Sequence, residues 1–135
     1  MNSLSIRFLF LFAASLLTCQ AEDKPKEISY KKLKYAEVDG IAIYKDPETR
    51  QPFTGIARDM HPNGQVHMEC PFKDGKMNGL VREWFANGKK LAETQFVDGE
   101  RTGKNTEWTE NGELYRERVY DHDKIMSEKN YEPKK

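Results

Sequence analysis

The chain has 135 residues, enough for one small domain, and 37% hydrophobic against 33% charged residues is too lean for a single large core. This composition favours a thin or repetitive structure. The 22 basic and 22 acidic residues balance, which argues against nucleic-acid binding and against a polybasic membrane-surface segment.

Residues 1–18 have the pattern of a secretory signal peptide. They contain one basic residue, Arg7, followed by an apolar run from Phe8 to Leu17. This run is about half of the ~20 residues that a transmembrane helix requires. The polar stretch after it argues against a buried N-terminal strand or helix. We therefore expect export to the cell envelope, as a membrane-anchored or a periplasmic protein.

The end of the signal segment has two interpretations. The tetrapeptide LLTC at residues 16–19 is similar to a bacterial lipobox, in which Cys19 is lipidated and becomes the first mature residue, although Thr18 departs from the usual small residue. The alternative is ordinary cleavage after Ala21, which gives a free exported protein. Either route leaves Cys70 as a single thiol, so no disulfide framework is predicted. We favour Cys70 as a small apolar strand residue over a reactive thiol.

The region before the repeats divides into two parts. Residues 19–34 are rich in Lys, Glu and Asp and are predicted to form a polar linker. The stretch YAEVDGIAIYKDPETRQPFTG, residues 35–55, contains a strand-like run from Val38 to Tyr44. It predicts a divergent leading hairpin.

A 24-residue period organises the rest of the chain. Glycines 55, 79 and 103, glutamates 69, 93 and 117, and the pair Trp84 and Trp108 recur at this spacing. Asn-Gly pairs recur with them, and this dipeptide between alternating runs predicts a hairpin with a type I′ turn. The predicted repeat turns are Asn63, Gly64, Asn87, Gly88, Asn111 and Gly112.

These units predict an all-β fold, an elongated antiparallel meander of stacked β-hairpins. The units lie near residues 55–78, 79–102 and 103–125, within an array that covers residues 35–125, and residues 126–135 are predicted to be a polar tail.

Two-residue loops at the Asn-Gly pairs set a trial register. Arg82 then faces Glu93, and Trp84 faces Leu91. The same offset places Arg58 opposite Glu69, Thr106 opposite Glu117 and Trp108 opposite Tyr115. The better-buried face is predicted to hold Leu80, Trp84, Leu91, Trp108 and Tyr115.

The units resemble MORN repeats of the variant type. The order of the motifs DGIAIYKD, PFTG, EWF, NGKKLAE and EWTENGEL, between Tyr35 and Tyr120, is also similar to the YwqK-type antitoxin family of bacteria. This resemblance implies an all-β hairpin array and, from the family name, neutralisation of a toxin by direct binding. An exported member would guard the envelope or confer immunity to a secreted effector.

No catalytic, cofactor-binding or metal-binding residues are predicted. The histidines, His61, His67 and His122, lack a metal-ligand spacing, and the recurring glutamates are explained by ion pairs across strands. We expect a non-enzymatic protein-binding module without a cofactor, tethered to a membrane through a lipid on Cys19.

Four aromatic residues are candidates for a binding face: Trp84, Phe85, Trp108 and Tyr115. They have two interpretations, because they either form sheet core, which needs no function, or form a partly exposed stripe that anchors a partner. The expected partner is a protein, either a toxin or an envelope protein, and no nucleic acid is expected. A membrane-associated scaffold that forms homo-dimers stays open as a different class of function.

Overall fold

The computed structural model describes residues 24–132, which form a nine-stranded and a two-stranded β-sheet. The predicted signal segment and Cys19 lie outside the described residues. A short 3-10 helix occupies Tyr30–Lys32. The strands are β1 (Glu27–Ser29), β2 (Lys34–Val38), β3 (Ile41–Lys45), β4 (Gly55–Met60), β5 (Val66–Lys73), β6 (Lys76–Met77), β7 (Gly79–Trp84), β8 (Lys90–Val97), β9 (Glu100–Trp108), β10 (Leu114–Asp121) and β11 (Lys124–Asn130).

The main sheet follows the order of the chain. Its strands run β1-β4-β5-β7-β8-β9-β10-β11, and the short β6 pairs with the end of β5. All neighbours are antiparallel except β1, which joins β4 in parallel at one edge. The leading hairpin, β2–β3, forms the separate two-stranded sheet. This architecture confirms the predicted all-β meander of stacked hairpins.

The Asn-Gly loops differ from the predicted type I′ turns. In the second loop the Phe85 N–H donates to the Lys89 carbonyl at 2.8 Å, and the Gly88 N–H donates to the Phe85 carbonyl at 2.9 Å. Gly88 has a φ of 80°, whereas Asn87 does not have a positive φ. This geometry is a type I turn followed by a left-handed glycine, a three-residue loop that produces a bulge. The same bonds recur in the loops that contain Gly64 and Gly112.

The bulge shifts the register by one residue beside each loop. Arg82 faces Glu93 as predicted, but Trp84 faces Lys90 instead of Leu91. Pairs beyond the bulge keep the predicted partners, whereas pairs next to the loop change. The predicted pairs Arg58–Glu69 and Thr106–Glu117 are therefore confirmed, and the predicted pair Trp108–Tyr115 is wrong because Trp108 faces Leu114.

The tight two-residue turns of the array are the Asp-Gly pairs. Asp98 and Gly99 have φ values of 50° and 93°, and they connect Val97 directly to its register partner Glu100. Two successive positive φ values are characteristic of a type I′ turn, which matches the twist of the strands. Asp74-Gly75 and Asp39-Gly40 repeat this geometry.

The array extends further than its predicted boundaries. His122 and Asp123 form another turn with two positive φ values, of 46° and 62°, one period after Asp98-Gly99. Strand β11 follows it and pairs with β10, so the array ends at Asn130 rather than at residue 125. At the other end, β1 and the 3-10 helix occupy part of the predicted polar linker.

One face of the first repeat carries the buried core. Residues that oppose each other directly in antiparallel strands share a face, and Ala57 opposes Cys70 there. The N-terminal segment covers this side with Leu33 and Phe53. We call it the cap face, defined by Ala57, Cys70, Phe72, Val81, Ala92 and Tyr120. The predicted buried face is wrong, because its residues are half-buried or exposed: Leu80, Trp84, Leu91, Trp108 and Tyr115.

Backbone hydrogen bonds attach the leading hairpin to the turn Asp74-Gly75 of the first repeat. The Tyr44 N–H donates to the Gly75 carbonyl at 2.7 Å, and the Gly75 N–H donates to the Phe53 carbonyl at 2.8 Å. The rings of Tyr44 and Phe53 lie 5.1 and 5.9 Å from the ring of Phe72, centroid to centroid. The hairpin therefore serves as an apolar cap over the first repeat.

This attachment predicts that Gly75→Ala destabilises the protein more than Gly64→Ala. Both glycines have left-handed φ values, of 79° and 83°, so both substitutions introduce backbone strain of about 1 kcal/mol. A Cβ on Gly75 would also lie 2.9 Å from the Tyr44 carbonyl oxygen, whereas a Cβ on Gly64 would meet nothing within 4 Å. We expect a further loss of about 1–3 kcal/mol for Gly75→Ala, measured by urea unfolding. Equal losses in the two variants would contradict this account of the cap.

The buried thiol of Cys70 is expected to be inert in the folded protein. Its side chain is fully buried, and burial, with a smaller contribution from the Glu83 charge, raises its pKa to about 12. A Cys19→Ser chain, in which Cys70 is the only thiol, should show no reaction with a disulfide reagent at neutral pH and full reaction in denaturing urea. Rapid reaction without denaturant would show that the first repeat opens.

A candidate binding face

The face opposite the cap carries the two tryptophans of the array. Side chains alternate between the two faces along a strand, so Arg82 and Trp84 of β7 point away from the side of Val81. We call this surface the tryptophan face. It is defined by Arg58, Met60, Arg82, Trp84, Thr106 and Trp108, with the cross-strand residues Glu69, Glu93 and Glu117.

A stripe of large side chains runs across this face beside the Asn-Gly loops. Met60, Trp84 and Trp108 occupy the same position in three successive repeats. Neighbouring members are two strands apart, which is about 10 Å. The Lys90 ammonium lies 5.6 Å from the centre of the Trp108 ring and adds a cation to the stripe.

A shallow groove lies between the first and second repeats on this face. Its volume is about 610 Å³, and Met60 and Trp84 form its apolar sides. Met60 is 46% exposed, so this part of the stripe is open to a partner. The other lining residues are Arg58, Gly64, Gln65, Val66, Glu69 and Gly88.

A chain of ion pairs forms the floor beside the stripe. The Arg58 Nε donates to Glu69 Oε2 at 3.0 Å, and the Arg82 Nη1 of the next repeat donates to Glu69 Oε1 at 3.3 Å. Glu93 continues the chain 3.8 Å from Arg82 Nε, and Glu27 of β1 begins it. Half-exposed pairs of this kind contribute about 0–1 kcal/mol each, so their main effect is to hold the side chains in place.

The other two predicted binding residues lie apart from the stripe. Phe85 begins the second Asn-Gly loop and is half-buried. Tyr115 is 42% exposed and lies in the register shift between Leu114 and Arg116. Its ring lies against the Arg116 guanidinium, 5.3 Å from the ring centre. The structure therefore places Trp84 and Trp108, which recur at the 24-residue period, in one row with Met60.

The first two asparagines of the repeat turns, Asn63 and Asn87, join successive repeats. The Asn63 Nδ2 donates to the Ala86 carbonyl at 2.7 Å, and the Asn87 Nδ2 donates to the Glu110 carbonyl at 3.1 Å. Their Oδ1 atoms accept backbone N–H groups within their own loops, from Gln65 and Lys89. These side chains have a structural role, because each one fixes the next loop at the border of the stripe.

The described residues contain no arrangement typical of a metal centre. Within residues 24–132, no group of three or more His, Cys, Asp or Glu side chains is placed to hold an ion. His61 and His67 lie close together, with ring centres 4.5 Å apart, but His61 Nε2 is engaged with the Trp84 carbonyl at 2.8 Å. Over the same residues, no helix has the length and apolarity needed to cross a membrane.

Comparison with protein families identifies the repeat. The model of the MORN repeat variant matches residues 53–74, 77–98 and 101–122. Each match begins at a residue whose carbonyl accepts a hydrogen bond from the next two-residue turn. The Gly75 N–H donates to the Phe53 carbonyl at 2.8 Å, the Gly99 N–H to the Met77 carbonyl at 2.8 Å, and the Asp123 N–H to the Arg101 carbonyl at 3.0 Å.

Neither curated proteins nor solved structures gave a match to the chain. MORN repeats are generally non-enzymatic and often bind proteins or membranes. The chain therefore contains three consecutive MORN repeats of the variant type.

Proposed function

We propose that this protein is a non-enzymatic repeat module that binds a protein partner on its tryptophan face. The stripe of Met60, Trp84 and Trp108 is the observation that carries this proposal. Large aromatic side chains anchor protein interfaces, since each offers much contact area at a small cost in conformational entropy. The cap covers the opposite side of the first repeat, so the stripe lies on the side of the sheet that the cap leaves uncovered.

The dimensions of the stripe favour a macromolecular partner over a small molecule. Met60 and Trp108 are four strands apart, which is about 20 Å. The groove beside Trp84 is wide and shallow, whereas small-molecule sites are concave and enclose most of the ligand. The sheet hydrogen bonds fix the backbone that carries the stripe before a partner binds, which lowers the entropy that binding loses.

We also propose that the protein acts at the cell envelope, tethered by a lipid on Cys19. The support is the sequence of residues 1–19, with one basic residue, an apolar run and a lipobox-like end. A lipid tether would place the tryptophan face close to envelope proteins and raise their effective concentration.

Removal of both indole rings tests the binding face. A photo-crosslinking amino acid in place of Met60 should give a defined adduct in the native host. We expect Trp84→Ala with Trp108→Ala to reduce this adduct at least tenfold, because truncation of interface anchors costs about 2 kcal/mol or more. Ile41→Ala is the matched control, since Ile41 is also 46% exposed but lies on the leading hairpin.

The variants must keep the β-sheet circular-dichroism signal of the parent chain. An adduct of equal yield in the double variant and the parent would refute the proposed face.

The intact mass of the protein from its native host tests the tether. A membrane-bound species that begins at Cys19 and carries lipid is expected, and Cys19→Ser should abolish the added mass. A soluble species that begins at Glu22 would instead indicate a free exported binder. An uncleaved cytoplasmic chain would contradict export and favour the antitoxin alternative.

A further inference from the structure

The leading hairpin carries apolar side chains on both of its sides. Ala36 faces Ile43 in register, and Val38 follows Ala36 by two residues, so these three side chains share one side. Tyr44 points to the other side and packs against Phe72 of the first repeat, with ring centres 5.1 Å apart. Val38 is 49% exposed, so the side of Ile43 keeps apolar surface open to solvent.

A groove of about 500 Å³ runs along this open side. Its lining includes three apolar and three cationic residues, and within the described part of the chain Asp39 is its one acidic residue. The groove therefore combines an apolar surface with an excess of positive charge. We call it the hairpin groove, defined by Val38, Ile43, Lys45, Arg50, Pro52 and Lys76.

The three cations of the hairpin groove have no anionic partner within residues 24–132. Arg50 differs in this respect from the other five arginines of that range, each of which is paired with a carboxylate. The buried acid of the same loop, Asp46, is already paired with Lys26. A ligand that supplies carboxylates would therefore complement the charge of this groove.

The loop that carries Arg50 is closed by hydrogen bonds. The Arg50 N–H donates to the Asp46 carbonyl at 2.9 Å, and the Asp46 N–H donates to the Gln51 carbonyl at 2.9 Å. Asp46 Oδ1 accepts the N–H groups of Glu48 and Thr49, at 2.9 and 3.0 Å. Arg50 has a φ of 59°, a left-handed conformation that residues with a Cβ rarely adopt. The fold therefore holds Arg50 beside the groove through its backbone, and its side chain is exposed.

A free strand edge borders the groove. Tyr44 directs its backbone groups away from β2, because its N–H donates to the Gly75 carbonyl and its carbonyl accepts from the Phe53 N–H. Ala42, two residues earlier in β3, directs its backbone groups to the same edge. Within the described residues no other strand pairs with β3 at Ala42. An extended chain beside Ala42 would complete these hydrogen bonds, as in the addition of a peptide strand to a sheet edge.

We propose that the hairpin groove binds an extended acidic segment of a protein. Carboxylate side chains of this segment pair with the three cations, since a guanidinium and a carboxylate form strong charge-assisted hydrogen bonds. Its apolar side chains cover Ile43 and Pro52, and its backbone pairs with Ala42. The groove lies on the leading hairpin, outside the tryptophan face, so this binding is independent of the partner proposed for that face.

Titration of the ¹⁵N-labelled protein with two end-blocked hexapeptides tests this site. The acidic probe, Glu-Glu-Val-Val-Glu-Glu, offers carboxylates and apolar side chains on both faces of an extended chain, and the uncharged probe has glutamine in place of glutamate. We expect saturable shifts of the amide signals of Ala42, Ile43 and Lys76 with the acidic probe, and at least tenfold weaker binding of the uncharged probe. Equal affinity for the two peptides, or no saturable shift with the acidic one, would overturn the proposal.

Arg50→Gln with Lys76→Gln removes two cations of the groove. Neither side chain makes an ion pair within residues 24–132, so the fold should be retained, as circular dichroism would show. We expect at least a tenfold loss of affinity for the acidic probe. Lys124→Gln with Lys129→Gln is the matched control and should bind as the parent does, since these exposed lysines also lack an ion pair in that range but lie on β11. An equal loss in both double variants would indicate non-specific attraction and contradict the site.

Vesicles distinguish a protein segment from a lipid surface, which also presents anions beside apolar groups. We expect the Cys19→Ser chain not to sediment with phosphatidylglycerol vesicles in the buffer in which the acidic probe saturates. Sedimentation that is lost in Arg50→Gln with Lys76→Gln would identify lipid headgroups as the occupant of the groove and overturn the proposal.

Discussion

The backbone hydrogen bonds between neighbouring strands are the interaction on which the rest of this structure depends. A single-layer sheet offers each hairpin little apolar surface to bury, so each hairpin is stabilised mainly by the neighbours that pair with its edges. Two turn types make the pairing of strands continuous along the sheet. The tight Asp-Gly turn and the bulged Asn-Gly loop alternate, and each type also bonds to the adjacent repeat. The period of the sequence is therefore the period of these bonds.

The N-terminal segment makes the two faces of the sheet unequal. Its aromatic and aliphatic side chains bury one side of the first repeat, around Cys70 and Phe72. The same side of the later repeats carries charged and amide groups that pair with one another, and Glu83 stands among them without a partner. The uncovered tryptophan face carries its large side chains in one row across the repeats. Two surfaces of different chemistry therefore result from one repeated unit.

The sequence by itself determined the fold class, the 24-residue period and the pairing of Arg82 with Glu93, because these depend on local alternation and on residues distant from the loops. It did not determine the turn types. Asn-Gly suits two turns of different length, and the difference of one residue altered the partners of Trp84 and Trp108. Strand β11 was missed because its turn, His122-Asp123, has no glycine. Strand β1 is polar and short, and its pairing is visible only in the sheet.

Only the tertiary structure decided which face is buried. Both faces of the repeat contain apolar residues, so the alternation of side chains defines two faces but does not show which one is buried. The leading hairpin and Phe53 decide which face is buried, and they are distant in sequence from many of the residues that they cover. For the same reason, the sequence alone does not show that Glu83 lacks an ion-pair partner among the described residues. The sequence places it in a column with Asp59 and Glu107, but their cations come from a different segment in each case, Lys31 for one and Arg116 for the other. A repeating sequence fixes the positions of its side chains, whereas the non-repeating segments and the strand register decide which of them find partners.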